Sequence, residues 1–348
     1  MAGQVALVAG ASGIIGRGLL DVLHGRADWE VAALGRRQVE GVRTIAADLR
    51  DRTSALEALR TAGRDVTHVF YAAYLPAPDL AAEVAVNGPM LVNLLDGLAE
   101  AGAPVQRVVL YQGAKVYGVH FGPVPAPFRE DGPRHLPPNF YYTQEDELRR
   151  RATAGGPGFS ILRPDVVVGD AVGNPMNIAT VIGAFAAISR ATGTPMRFPG
   201  PVEVYERCWA QVTDSRLLGR ASLWAATADA ARGEAFNYVH EPFRWQEVWT
   251  QVADGLGLPV GPPMPMNLAR HMGFQSEVWG RLAAEHGLRP IPYEDLVGWG
   301  FGDFVFNARF DVVSDMGKIR RAGFAETTDS AGAILDAIGR LRAAKVLP

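Results

Sequence analysis

The sequence predicts an α/β fold: a doubly wound parallel sheet with a smaller C-terminal domain. Three observations carry this prediction. Apolar runs of strand length alternate with helical patterns through the first half of the 348 residues, and such alternation builds a parallel sheet covered on both faces. The first run leads directly into a glycine turn, Gly10-Ala11-Ser12-Gly13-Ile14-Ile15-Gly16, which opens a helical pattern. A second apolar run then ends on Gly35-Arg36-Arg37.

Taken in order, the expected strands cover residues 5–9, 30–34, 43–46, 68–72, 107–111 and 160–163. Helices are expected over 14–24, 53–62, 80–101 and 140–154. The glycine turn has the Rossmann-type layout. Gly10 permits the sharp turn, Gly13 lets backbone approach a pyrophosphate, and Gly16 lets helix pack on strand. The helix N-terminus adds free N–H groups and a partial positive charge. Ser12, Ile14 and Ile15 complete the expected phosphate cradle. Sites for NAD usually place a carboxylate at the end of the second strand to hold the ribose 2′-hydroxyl. Here Arg36 and Arg37 stand there, with no carboxylate before Glu40. Arginine matches a 2′-phosphate, so NADPH/NADP is the expected cofactor; two solvated surface arginines are the plainer alternative.

In open parallel sheets the ligand sits at the carboxyl ends of the strands. The residues just past each strand are therefore read as site residues. They include Asp48 and Leu49, placed to meet the adenine or simply a surface pair, together with Ala72 and Val167. Residues 1–165 are expected to form the NADP-binding domain, completed by parts of 205–240. Residues 166–348 mainly form the substrate-binding domain. Prolines and aromatics become frequent there, as in 195–201, 243–245 and 299–306, which suits a smaller irregular unit. The segment 121–138 holds six prolines and reads as an extended loop.

Composition narrows the partners. With 34 basic against 37 acidic side chains the net charge is −3, which gives no reason to expect nucleic acid or an anionic membrane. Cys208 is the only cysteine, so no intrachain disulfide forms and a cytoplasmic location is expected. The N-terminus is spent on the first strand, which leaves no room for a signal peptide. The most apolar window, 178–188, is too short to span a bilayer and reads as a buried helix. Seven scattered histidines show no metal-ligand spacing, so no metal is expected.

Carbonyl chemistry on such a scaffold usually takes a tyrosine and a lysine on one helix as Tyr-x-x-x-Lys, because i and i+4 share a face. The spacing occurs once, at Tyr111 and Lys115. It falls at a strand end followed by Gly113, where the two side chains would not share a helical face. The helix that should carry the tyrosine begins Asn139-Phe140-Tyr141-Tyr142-Thr143-Gln144-Glu145-Asp146, and neither tyrosine has a lysine four residues on.

These segments resemble the progesterone 5β-reductase/iridoid synthase family of short-chain dehydrogenases. The resemblance rests on Gly113-Ala-Lys115-Val-Tyr117, Pro127-Phe128-Arg-Glu130-Asp131, Asn139 to Asp146, Arg163-Pro164, Arg197-Phe-Pro-Gly200, Glu234-Ala-Phe-Asn237 and Phe243-Arg-Trp245. It runs through nearly the whole chain. It implies NADPH, and a catalytic pair split between Lys115, on the loop after strand five, and Tyr141, at the helix start. The chain departs from the plant members just before the lysine, where Tyr111-Gln112-Gly113-Ala114 stands in place of a Gln-Thr-Gly-Arg-like run.

The reaction expected is hydride transfer to the β-carbon of an activated C=C, with Tyr141 and Lys115 stabilising the enolate oxygen. Carbonyl reduction on the same scaffold is the alternative. An epimerase using held NAD, or a non-catalytic regulator, stands further off. Arg36-Arg37 argues against the epimerase, and the Lys115 and Tyr141 pair against the regulator. Tyr74, Val116, Tyr117, Met176, Tyr205 and the 299–306 stretch are read as substrate lining. Such a lining suits a small apolar carbonyl or enone, with a homodimer left open.

Overall fold

The computed structural model describes residues 3–348. Seven strands form the central sheet, and they alternate with helices: β1 (Gln4–Ala9), α1 (Ile14–Leu23), β2 (Trp29–Gly35), β3 (Arg43–Ala46), α2 (Arg52–Ala62), β4 (His68–Tyr71), α3 (Leu80–Glu100), β5 (Arg107–Tyr111), α4 (Phe140–Thr153) and β6 (Gly158–Arg163). The second half adds α5 (Ile178–Ala191), α6 (Ser215–Thr227), β7 (Ala235–Asn237), α7 (Trp245–Gly255) and α8 (Ser330–Ala343). The spatial order is β7-β6-β5-β4-β1-β2-β3, and every neighbouring pair is parallel. This is the Rossmann-type doubly wound sheet. Its central strands are apolar on both faces because helices cover both.

One face packs on α1 and α6 through Leu19, Leu20, Leu23, Leu217, Leu218 and Ala221. The other packs on α2, α3 and α4 through Ala55, Leu59, Leu91, Leu94 and Leu148. Thus α6 and β7, both from the second half of the chain, complete the sheet layer. The helices start where side chains can cap them. Asp51 accepts from Ser54 N, Asp79 from Ala82 N, and Asp214 from Leu217 N.

The second lobe is built round α5, which is buried from Ile178 to Ser189 and packs against α7 and α8. Side chains such as Ile182, Phe185 and Ile188 each contribute about 2 kcal/mol through burial. Asn177 caps α5 from a buried position, accepting from Ala179 N at 3.0 Å and donating to Gly169 O at 2.9 Å. The proline-rich 121–138 loop is fastened to distant chain. Phe128 N donates to Val313 O at 2.7 Å, and Glu130 accepts from Asn237 N at 2.7 Å. No helix among the described residues is long and apolar enough to cross a membrane.

Candidate active site

The glycine turn links β1 to α1 at the carboxyl edge of the sheet. Gly10 has φ +83°, and a Cβ there would lie 2.6 Å from the carbonyl oxygen of Ala72, so only glycine fits between the two strands. Ala72 extends β4 by donating its N–H to Ala9 O at 2.9 Å. Gly13 is the N-cap of α1; no side chain caps this helix end, and its first turn carries no acidic residue. The leading amides of Ile14, Ile15 and Gly16 are therefore left to an external anion, while the Ile14 side chain is buried and Ser12 is exposed. This cradle fits a dinucleotide pyrophosphate. Asn174 joins it, its Nδ2 lying 3.8 Å from where a Gly13 Cβ would stand. Sequence reading missed Asn174, because only the fold brings 174 to the turn.

Arg36 and Arg37 are exposed just beyond β2. Among the described residues neither forms an ion pair, so both guanidiniums stay available. Asp48 is taken by Arg50 at 2.5 Å. Hydrogen bonds from Arg50, with the Arg36 charge adding to them, hold the Asp48 carboxyl at about 2. The structure corrects the expectation for Leu49: its side chain enters the core under the sheet, and its carbonyl accepts from Asn93 at 2.8 Å. Val167 sits half-buried in a two-residue strand paired with Thr213.

The segments after β5 and β6 meet the start of α4. After β5, a 3-10 turn from Ala114 to Tyr117 presents Lys115. Opposite, Asn139 caps α4, accepting from Tyr141 N at 3.0 Å, and also donates to the backbone carbonyl of Lys115 at 3.1 Å. The Tyr141 ring lies against Gly113, where an added Cβ would come 3.2 Å from the tyrosine hydroxyl. That hydroxyl makes no side-chain hydrogen bond among the described residues. Burial raises its pKa, and the carboxylates of Glu83 and Asp165 add to the rise. Asp165 lies two residues past the end of β6, and desolvation pushes its carboxyl up to about 7. Lys115 Nζ is 3.4 Å from both oxygens of Glu83, and Tyr74 donates to the same carboxylate at 2.5 Å. Tyr141, Lys115, Tyr74, Glu83 and Asp165 thus converge, although no two of the first four share a helix. Tyr111 is elsewhere: its hydroxyl donates to Ser222 at 2.7 Å on the α6 side of the sheet.

A buried polar network fixes the two loops in place. Arg163, 7% exposed, donates to Gln112 at 2.8 Å and to the Tyr117 hydroxyl at 3.1 Å. Gln112 donates to the Tyr141 carbonyl at 3.2 Å and to Glu145 at 3.1 Å. Glu145 is held in turn by Arg149 at 2.8 Å. Arg151, on the same helix, reaches Asp96 at 2.6 Å across to α3.

The expected substrate lining divides. Tyr74 stands at the site, its ring stacked on Phe140 at 5.4 Å. Val116 is buried beside Tyr142, whose hydroxyl donates to the Val116 carbonyl at 2.7 Å. Met176 is exposed, two residues after Asn174, which accepts its N–H at 2.9 Å. Two expectations need correction. Tyr117 points inward, stacked on Phe128, with its hydroxyl shared by Asn237 and Arg163. Tyr205 belongs to the aromatic core of the second lobe, 5.1 Å from Phe198. The stretch Trp299–Phe306 is a helix that buries Trp299 and Phe306 in the same core and leaves Phe304 exposed.

The chain is similar to known proteins along nearly its whole length. The chain is 29% identical over 373 residues to the (S)-8-oxocitronellyl enol synthase CYC2 of Camptotheca acuminata, covering 99% of this chain and 93% of that one. It is 28% identical over 371 residues to the 3-oxo-Delta(4,5)-steroid 5-beta-reductase of Arabidopsis thaliana, with the same coverage. Among solved structures it superposes on a UDP-glucose 4-epimerase of Thermus thermophilus with a TM-score of 0.68 at 20% identity, covering 98% of this chain and 100% of that one. A PRISE-like Rossmann-fold domain matches residues 40–348, a span that takes in the lysine loop, the tyrosine helix and the second lobe and leaves out β1, the glycine turn, α1, β2 and the arginine pair. Matched over residues 40–348 and built on a seven-stranded parallel sheet, the chain belongs to the PRISE-like family of short-chain dehydrogenases/reductases and is an oxidoreductase.

Proposed function

We propose that the protein is an NADPH-dependent reductase that transfers hydride to the β-carbon of an activated C=C in a small apolar enone or enal. The observation that carries this reading is the unengaged Tyr141 hydroxyl, in a site where Lys115 is paired with Glu83. When bound, the nicotinamide supplies the hydride. As hydride reaches the β-carbon, the C=C electron pair moves toward the carbonyl and negative charge gathers on oxygen. Tyr141 donates a hydrogen bond to that oxygen, and the Lys115 ammonium, largely offset by Glu83, adds a weak positive field. The α-carbon then takes its proton from water, so the tyrosine need not give up its own. Direct carbonyl reduction would form an alkoxide and require fast proton delivery. The names borne by the two plant relatives, an oxocitronellyl enol synthase and a steroid 5-beta-reductase, agree with enone chemistry. The NADPH preference is supported by the unpaired guanidiniums of Arg36 and Arg37.

The test is product analysis. Incubation with NADPH and a simple enone is expected to yield the saturated ketone. Allylic alcohol as the sole product would overturn the reading in favour of carbonyl reduction.

A further inference from the structure

Glu83 has no part in the steps above, yet it is the best-placed charge in the site. It lies in the first turn of α3 with its side chain 8% exposed. Taking a carboxylate out of water is costly unless it is paired and hydrogen-bonded, and Glu83 is both. Tyr74 donates to Oε1 at 2.5 Å, and Lys115 Nζ stands 3.4 Å from each oxygen. Its backbone is also pinned, because Asn87 Nδ2 donates to the Glu83 carbonyl at 3.0 Å. The lysine charge is therefore spent on a carboxylate beside the tyrosine rather than on the tyrosine.

Around Tyr141 stand Glu83 on α3, Tyr74 after β4 and Asp165 after β6, and Lys115, after β5, reaches this cluster through Glu83. His120 stands behind Lys115, its pKa lowered by burial and then by the Lys115 charge. Two carboxylates thus oppose ionisation of the Tyr141 hydroxyl. A short-chain dehydrogenase that oxidises alcohols needs the opposite arrangement, an ammonium beside the tyrosine to favour the phenolate base.

We propose that Glu83 is a positioning residue that captures the Lys115 ammonium and shields Tyr141 from its charge, so that Tyr141 serves as a neutral hydrogen-bond donor and not as a base. The inference rests on the reading that Tyr141 meets the substrate oxygen. It biases the enzyme toward reduction and against alcohol oxidation.

The experiment compares wild type, Glu83→Gln and Glu83→Asp with NADPH and 2-cyclohexenone between about pH 6 and 10. Glu83→Gln is expected to move the alkaline limb of the kcat profile down by about one pH unit or more, or to bring a limb into a window where wild type is flat. Glu83→Asp keeps the charge and restores most of the wild-type profile. Superimposable wild-type and Glu83→Gln profiles overturn the proposal. A readout independent of turnover is tyrosinate absorbance in the NADP⁺ complex, taken as the difference from Tyr141→Phe in each background. If no enone is reduced, the proposed function fails, while this titration still decides the role of Glu83: a lower Tyr141 transition in Glu83→Gln supports it and an unmoved one rejects it. Should Glu83→Gln not fold, Tyr74→Phe removes the hydroxyl that orients the carboxylate. A smaller shift in the same direction is then expected, and no shift overturns the proposal.

Discussion

Asn139 holds Lys115. Its side-chain nitrogen donates to the lysine backbone carbonyl at 3.1 Å while its oxygen caps the helix through Tyr141 N at 3.0 Å. One 7%-exposed side chain thus sets the spacing between two elements that are 26 residues apart in sequence, since 141 − 115 = 26. Asn139→Ala should cost about 1 kcal/mol from the lost cap. Because the grip on the lysine loop goes with it, kcat should fall roughly tenfold or more, as small misplacements at a reacting centre do. Denaturant unfolding and steady-state kinetics check both; a stability loss with unchanged kcat would show that the cap alone mattered.

Gly113 is a contact point rather than a conformational necessity, since its φ of −150° is ordinary extended backbone. Gly113→Ala should leave stability within about 1 kcal/mol. The added methyl would press on the Tyr141 hydroxyl, and kcat should drop several-fold with the KM for NADPH nearly unchanged. An unaltered kcat would place the tyrosine away from the reacting oxygen.

Tyr141→Phe removes the hydrogen-bond donor and nothing else. A loss of about 10²-fold in kcat is expected, the scale of one lost oxyanion donor, with NADPH affinity retained. Single-turnover measurement of NADPH oxidation reads this directly.

Replacing Arg36 and Arg37 together by alanine should raise the KM for NADPH far more than that for NADH, because only the former carries the 2′-phosphate. Equal changes for the two cofactors would reject the phosphate assignment.

His240 supplies a pH prediction. It is buried, its Nε2 accepts from Asp214 N at 2.9 Å, and desolvation lowers its pKa from 6.5 to about 4. The folded state therefore prefers the neutral ring. Its stabilising contribution is full above about pH 6.5 and is lost as pH falls through 4. Burial, with the Arg107 charge, likewise lowers His68 from 6.5 to about 4. The thermal midpoint should decline across this window. His240→Asn should reduce the slope of that decline, even if it lowers the midpoint overall.

The sheet was legible wherever a run was long enough to show its period. The first six strands and the first four helices follow from the alternation of apolar runs with helical patterns. Strand β7 escaped such reading because three residues, Ala235–Asn237, carry no measurable pattern and are recruited from the second half. The site was legible in Lys115 and Tyr141, whose neighbours form recognisable motifs. Those motif residues now have physical tasks: Glu130 accepts from Asn237 N, and Glu145 takes Gln112 and Arg163. Glu83 and Asn174 were silent, because a helical glutamate and a loop asparagine look like solvent-facing residues until tertiary packing turns them inward. Tyr117 misled for the converse reason. It lies near the lysine in sequence, but the tight turn of Ala114–Tyr117 directs its ring toward Phe128 and its hydroxyl into the Arg163 network.

The recruitment of α6 and β7 from beyond residue 165 also bears on how this protein can be re-engineered. The dinucleotide half is not a detachable cassette: cut away, it would lose one of the two helices covering one face of the sheet and expose β6 as a raw edge, an invitation to aggregate. Chimaeras that graft a foreign substrate lobe onto residues 1–165 would have to carry residues 213–240 with the host, as a second splice. Pocket swaps made inside the 170–210 and 260–310 segments leave that shared architecture intact.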